Sequence, residues 1–388
     1  MGIPHFIKNF VSLGAKLPFK TSFPDLDNLL YTENDKNISI INEYKNIGFG
    51  KLKYIGVDGS VIIHSQIVTD NKLNVNHEQS CIKIVNKIIF YIENILKYFK
   101  VFNDSINDNN DSKIILHIVI DGLPPIKKNR KYSYNENNEE VKDAYSKMIN
   151  EDKDVLHIEI IDQLKKYLDE QFVDKFHLLS NHTVNSKNRG EGEIELYRFC
   201  KKLNEKYNEE DNNKHVIISN DSDVIALMLL NQDKNMVVIS PLKETYITNF
   251  NLIIDKLKLH NKEMIVKYVL LHFIFFGSDY NLGLVCNPDE NKQNIIMKCV
   301  QKGITDIDEI GNMFKRKRKR RESVDDIMIL EKLKQLLIYE AICSIMYYID
   351  PNVGINYLTD YSPQLYKYKT AKNLRSLIQF SDIFQEID

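Results

Sequence analysis

The clearest strand pattern in the chain is Lys-Ile-Ile-Leu-His-Ile-Val-Ile over residues 113–120, an apolar run that stops at Asp121-Gly122. Residues 52–57, Leu-Lys-Tyr-Ile-Gly-Val, predict a second strand, which ends at Asp58. Residues 214–219 predict a third, buried strand that ends at Asn220-Asp221-Ser222-Asp223. Between and after these runs the period changes to that of a helix. Over 79–100, Val85, Ile88, Ile92, Leu96 and Phe99 share one face. Over 190–207, Ile194, Tyr197, Cys200, Leu203 and Tyr207 recur at three- and four-residue steps. Residues 262–276 are apolar enough for a buried helix, ending at Gly277-Ser278-Asp279-Tyr280. A short helix is expected at 3–13, with Pro4 in its first turn. Ser323 and Asp326 resemble a capping box that opens a helix towards residue 348. Residues 15–50 are weakly patterned and are expected to be loop and irregular structure.

Strands that alternate with helices predict an α/β fold. Its sheet is mostly parallel, with helices on both faces. In such sheets ligands sit at the carboxyl ends of the strands. Asp58, Asp121 and the pair Asp221/Asp223 each follow an apolar strand, so the topology would bring them to one edge. The helix at 190–207 adds Glu191 and Glu193 at its start, where Gly190 and Gly192 let backbone approach closely. Asp279 is a seventh acid. Two carboxylates about 4 Å apart repel by roughly 1–4 kcal/mol, and a hard divalent cation such as Mg²⁺ or Mn²⁺ relieves that repulsion. Seven acids suit two ions. Glu191, Glu193 and Glu195 also read as a solvated helix start favoured by the dipole, and Asp-x-Asp occurs in sugar transferases too.

Composition narrows the choice. A net charge of −2 over 388 residues gives no global basic field, so nucleic-acid contact would use local patches. One such patch is Lys127, Lys128, Arg130 and Lys131, after the break at Pro124-Pro125; another is the run Lys315–Arg321. The five cysteines are scattered without a CxxC pair, against structural zinc or a disulfide scaffold. No P-loop, GxGxxG, HExxH or GxSxG is present. The most apolar run, 264–277, is too short for a bilayer and holds Lys267 and His272. A soluble, intracellular protein is expected, with no membrane partner.

Taken together, these motifs resemble the 5′ nuclease superfamily of flap endonucleases and Xrn-type exonucleases, with its PIN-like core. The resemblance covers most of residues 1–310. Met1-Gly2-Ile3-Pro4-x-Phe6 and Asp58 with Ile62-Ile63-His64 are similar to Xrn-type patterns, as is Gly190-Glu191-Gly192-Glu193. Asp121-Gly122-x-Pro124-Pro125-x-x-Lys128 and Gly277-Ser278-Asp279-Tyr280 have the flap-endonuclease spelling. Asp221-x-Asp223 fits both branches. Asn281–Asn291 lacks the two close glycines of the hairpin that follows in flap endonucleases, and Arg130 stands in for an arginine expected further on. Too few residues follow Asp279 for the long second conserved region of Xrn-type enzymes.

The resemblance implies a core at 1–310 and a basic, helical extension at 311–388. Within the core it implies an N-terminal segment over residues 1–135, a helical arch at about 136–178 and an internal segment over residues 179–310. It implies phosphodiester hydrolysis from a 5′ end with two Mg²⁺ ions, Mn²⁺ able to substitute. Asp58, Asp121, Glu191 and Glu193 would hold one ion, and Asp221, Asp223 and Asp279 the other. Lys128, with Arg130, would neutralise the scissile phosphate. His64 would stack on a terminal base, and Lys127 and Lys131 would contact nucleic acid; a packed core histidine is the other reading of His64. The expected action is 5′→3′ exonuclease on single-stranded DNA or RNA ends. Incision of 5′ flaps is the alternative, and a catalytically silent nucleic-acid-binding protein is an alternative of another class. Partners would be nucleic acid and a replication or RNA-decay protein. Lys315–Arg321 reads as nuclear import, phosphate contact or solvated loop, so the nucleus is favoured and the cytoplasm stays open.

Overall fold

A computed structural model describes residues 10, 13–19, 35–63, 77–102, 113–120, 158–172, 174–182, 192–206, 212–241, 245–278, 290–304, 306–314 and most of 341–349. They divide between two compact units: residues 10–124 with 138–258, and residues 1–9 with 125–137 and 259–388.

The first unit is built on seven strands: β1 (Leu17–Pro18), β2 (Lys51–Asp58), β3 (Ile114–Ile120), β4 (Phe176–His182), β5 (Asn213–Ile218), β6 (Met236–Pro241) and β7 (Thr245–Asn249). Their order in the sheet is β1-β7-β6-β5-β2-β3-β4. The five strands from β6 to β4 are parallel, and β7 and β1 add an antiparallel edge. The expected mostly parallel sheet is therefore present. Every residue of β5 and β6 is buried, as central strands covered on both faces require.

Alternation along the strands sorts the two faces. Leu52, Ile55 and Val57 of β2, Ile114, Leu116 and Ile118 of β3, and Val216 and Ile218 of β5 join one core. That core is covered by α1 (Asp35–Gly48), α2 (His77–Phe102) and the helical residues 158–171. The Tyr98 hydroxyl ties α2 to α1 by donating to the Tyr44 carbonyl at 2.7 Å. Tyr167 donates to Glu93 at 2.6 Å and ties residues 158–171 to α2. On the other face Tyr54 stacks on Phe199 of α3 (Gly192–Lys206), with ring centroids 5.2 Å apart. The apolar helix α4 (Ser222–Asn231) is buried along almost its whole length, and α5 (Phe250–Leu257) follows β7.

Two expectations need correction. Residues 15–50 hold β1 and α1 rather than only irregular structure. Pairing of Leu17 and Pro18 with β7 is a tertiary effect invisible in two residues of sequence. In α1, Asn37, Ser39, Asn42 and Asn46 dilute the helical signal. The arch expected at about 136–178 is not a separate element throughout. Ile160, Leu164 and Leu168 are buried in the core with α2, and Phe176–His182 form the edge strand β4, paired with β3 along its whole length. Residues 136–157 lie outside the described residues.

In the second unit, α6 (Lys262–Phe276) coincides with the expected buried helix. It is followed by α7 (Glu290–Gln301) and α8 (Ile307–Phe314). Phe273 meets Tyr348 edge-on at 5.5 Å, so residues of the 341–349 helix pack on α6. Of the helix expected at 3–13, Phe10 is helical and Leu13 lies in a turn, while the other residues, like the run Lys315–Arg321, lie outside the described residues. Among the described residues no helix is long and apolar enough to cross a membrane.

Candidate active site

The chain runs β2, β3, β4 in one direction across the sheet, then returns to place β5 on the opposite side of β2. The strand order thus reverses between β2 and β5, and it is beyond the carboxyl ends of the strands at such a reversal that ligands bind in open α/β sheets. Val57 is in register with Ile218, so Asp58 and the segment that follows β5 are neighbours.

Asp58, 2% exposed, closes β2. Its Oδ1 accepts the Val61 amide at 3.2 Å, and its Oδ2 accepts the Ser219 hydroxyl at 2.9 Å. Past β5 the Ser219 amide donates to the Ile239 carbonyl at 3.0 Å, which carries pairing to β6 one residue beyond the strand. The Asn220 side chain then donates to the Pro241 carbonyl at 3.2 Å. Asp221 turns the chain into α4 as its N-cap, with Oδ1 accepting the Asp223 amide at 3.2 Å. Asp223 is fully buried in the first turn of α4.

Glu193, 3% exposed, sits in the first turn of α3. Glu193, Asp221 and Asp223 each bring one carboxylate oxygen within 4.8 Å of the others. Two helix starts therefore meet at one point, and their dipoles offset some of the carboxylate repulsion. Three hard oxygen donors, two of them in residues removed from water, suit a divalent cation of the magnesium or manganese type far better than a softer metal.

The helix that carries Glu193 can lie this close because β2 has a glycine beneath it. A Cβ on Gly56 would fall 3.0 Å from Leu196 Cδ2 of α3 and 2.9 Å from the Tyr54 hydroxyl. Tyr54 shares a buried hydrogen bond of 3.0 Å with His117 Nδ1. Burial lowers His117 and His215 to a pKa of about 4, so both are neutral at pH 7. Burial also pushes the Cys200 thiol up, which leaves it inert as a nucleophile.

Of the acids expected from the sequence, Asp58, Glu193, Asp221 and Asp223 are brought to one edge of the sheet. Asp121, directly after β3, lies outside the described residues, as do His64, Lys127, Lys128, Arg130, Lys131, Glu191 and Asp279. Ser219 and Gly56 escaped the sequence reading. A lone glycine inside a strand signals close backbone approach and would have pointed to Gly56; Ser219 carries no comparable signal.

Residues 128–241 match the family described as XRN 5′-3′ exonuclease N-terminus. This segment holds Glu191, Glu193, Asp221 and Asp223, and the resemblance to the 5′ nuclease superfamily is borne out by it. No curated protein matches the chain significantly. Among solved structures, the chain is similar to the catalytic core of Rad2 in complex with DNA substrate, at 14% identity over 94% of this chain and 88% of that one, TM-score 0.42. It is also similar to the T5 D15 protein co-crystallised with metal ions, at 11% identity over 79% and 97%, TM-score 0.41.

Proposed function

We propose that the protein is a metal-dependent nuclease that hydrolyses phosphodiester bonds from a 5′ end, acting 5′→3′ on single-stranded DNA or RNA. The observation that carries this reading is the meeting of Glu193, Asp221 and Asp223 beside Asp58 at the carboxyl edge of β2 and β5. Asp58, Asp121, Glu191 and Glu193 would hold one Mg²⁺ and Asp221, Asp223 and Asp279 the other, with Glu193, whose carboxylate oxygen lies within 4.8 Å of oxygens of both Asp221 and Asp223, placed between the two sets. Mn²⁺ is able to substitute. Bound divalent ions supply an activated water and stabilise the leaving oxygen in such sites. Lys128, with Arg130, neutralises the scissile phosphate, a task for a preorganised cation. His64 stacks on the terminal base, worth roughly 1–3 kcal/mol, and Lys127 and Lys131 hold the backbone.

The spelling at Pro4, His64 and Gly192, and the match of residues 128–241 to an exonuclease family, support action on single-stranded ends. Asp121–Lys128 and Gly277–Tyr280 support a second reading, incision of 5′ flaps. The test compares 5′-phosphorylated single-stranded RNA and DNA with a 5′-flap duplex of equal length, in Mg²⁺ and in Mn²⁺. Stepwise loss of 5′ nucleotides from single strands is expected. A single cut at the flap junction with single strands untouched replaces the first reading by the second. No cleavage of any substrate by the wild-type protein sinks both.

A further inference from the structure

We propose that Ser219 is a positioning residue that couples the acid at the end of β2 to the acids at the end of β5, and so sets the metal affinity of the site. The inference rests on the metal-dependent reading above. The Asp221 amide donates to Ser219 Oγ at 3.1 Å, and Ser219 Oγ donates to Asp58 Oδ2 at 2.9 Å. The direction of this relay is fixed. An amide can only donate, so it occupies a lone pair of the hydroxyl, and the hydroxyl proton is left for the carboxylate. Ser219 is wholly buried and Asp58 almost so, which removes water as a substitute partner.

One hydroxyl thus holds two things at once. It fixes the orientation of the Asp58 carboxylate, with the Val61 amide holding the other oxygen. It also fixes the backbone of Asp221, whose side chain caps α4 and lies within 4.8 Å of Glu193 and Asp223. Groups that orient ligands in this way typically control metal affinity by 10- to 100-fold. No motif of the sequence assigns Ser219, because its role arises only where β5 pairs beside β2.

The experiment titrates Mn²⁺ into full-length wild type, Ser219→Ala, Ser219→Thr and Ser219→Val, by calorimetry and by the electron paramagnetic resonance of free Mn²⁺. Threonine and valine match in shape and differ in the hydroxyl, so their difference isolates the hydrogen bonds from any packing defect. Circular dichroism in EDTA checks that each variant folds. We expect Ser219→Ala and Ser219→Val to bind Mn²⁺ at least 10-fold more weakly than wild type, and Ser219→Thr to recover most of the loss. Equal affinity in wild type, alanine and valine variants overturns the role of Ser219 while leaving the metal site intact. Absence of Mn²⁺ binding in wild type itself overturns the metal-dependent reading and this inference with it, a result distinct from the first. Equal weakening in the threonine and valine variants, with alanine unchanged, assigns the effect to volume and also overturns the proposal.

Discussion

Tyr54 on β2 and His117 on β3 share a hydrogen bond of 3.0 Å inside the sheet face that supports α3. His215 on β5 meets the same tyrosine edge-on, with ring centroids 6.2 Å apart. Both histidines are lowered to a pKa of about 4, His117 by burial and His215 by burial and then the neighbouring Lys214 charge. An unfolded chain binds protons at these rings from about pH 6.5 downwards. Between that value and pH 4 the unfolded state holds more protons than the folded one, so stability falls as pH falls through this window. The expected loss is on the order of 3 kcal/mol for each histidine by pH 4. Urea unfolding at pH 7, 6, 5 and 4 measures it, and His117→Gln should flatten the slope. An unchanged slope in that variant removes His117 from the account.

Gly56→Ala is expected to destabilise the protein by about 1–3 kcal/mol through overpacking. The added methyl would meet Tyr54 Cε1 at 2.8 Å and Leu196 Cδ2 at 3.0 Å. Leu196 lies one turn from Glu193, so cleavage should fall further than stability alone explains. Cleavage measured well below the melting temperature separates the two, and wild-type activity there would show that α3 tolerates the displacement.

Asp221→Asn should nearly abolish cleavage and leave the fold intact. Asparagine caps a helix about as well as aspartate, so α4 keeps its start while the charge is lost. Asp223→Asn should also raise the melting temperature in EDTA, because it relieves repulsion between carboxylates held within 4.8 Å. A lower melting temperature in EDTA would mean that the Asp223 charge is needed by the fold rather than by a cation.

Mg²⁺ should stabilise the wild-type protein and be needed for turnover. A ligand at 100 times its Kd contributes about 2.7 kcal/mol. Thermal melts with and without Mg²⁺, alongside cleavage in EDTA, test both halves. Full cleavage in EDTA ends the metal mechanism.

Lys128→Ala should slow single-turnover cleavage more than it weakens binding, since a cation aimed at developing phosphate charge is worth most in the transition state. A defect confined to binding moves Lys128 to the general electrostatic contribution.

Where sequence reading succeeded, the signal was local. The buried strands β2, β3 and β5 are legible from the mostly apolar runs Tyr54–Val57, Ile114–Ile120 and Val216–Ile218, together with the acids that follow them. The helix Lys262–Phe276 was legible to the residue because Asn261 caps it and Gly277, at φ 79°, ends it. Where reading failed, the cause was tertiary. β4 is only half-buried at Phe176, Leu178 and Leu179, so it lacks the run that marks a central strand. α4 is apolar all round and shows no face. The Asp58–Ser219 bond joins residues that no pattern relates.

That bond spans 161 residues of chain. At about 5–20 residues per second, roughly 8–30 s of synthesis separate the two ends of the relay. Until β5 inserts beside β2, the growing chain carries Asp58 without the hydroxyl that orients it, and without Asp221 or Asp223. On the proposed nuclease reading the site therefore assembles only when β5 pairs beside β2, and a nascent chain that ends before Asp221 holds just Asp58 and Glu193 of the four acids brought together there.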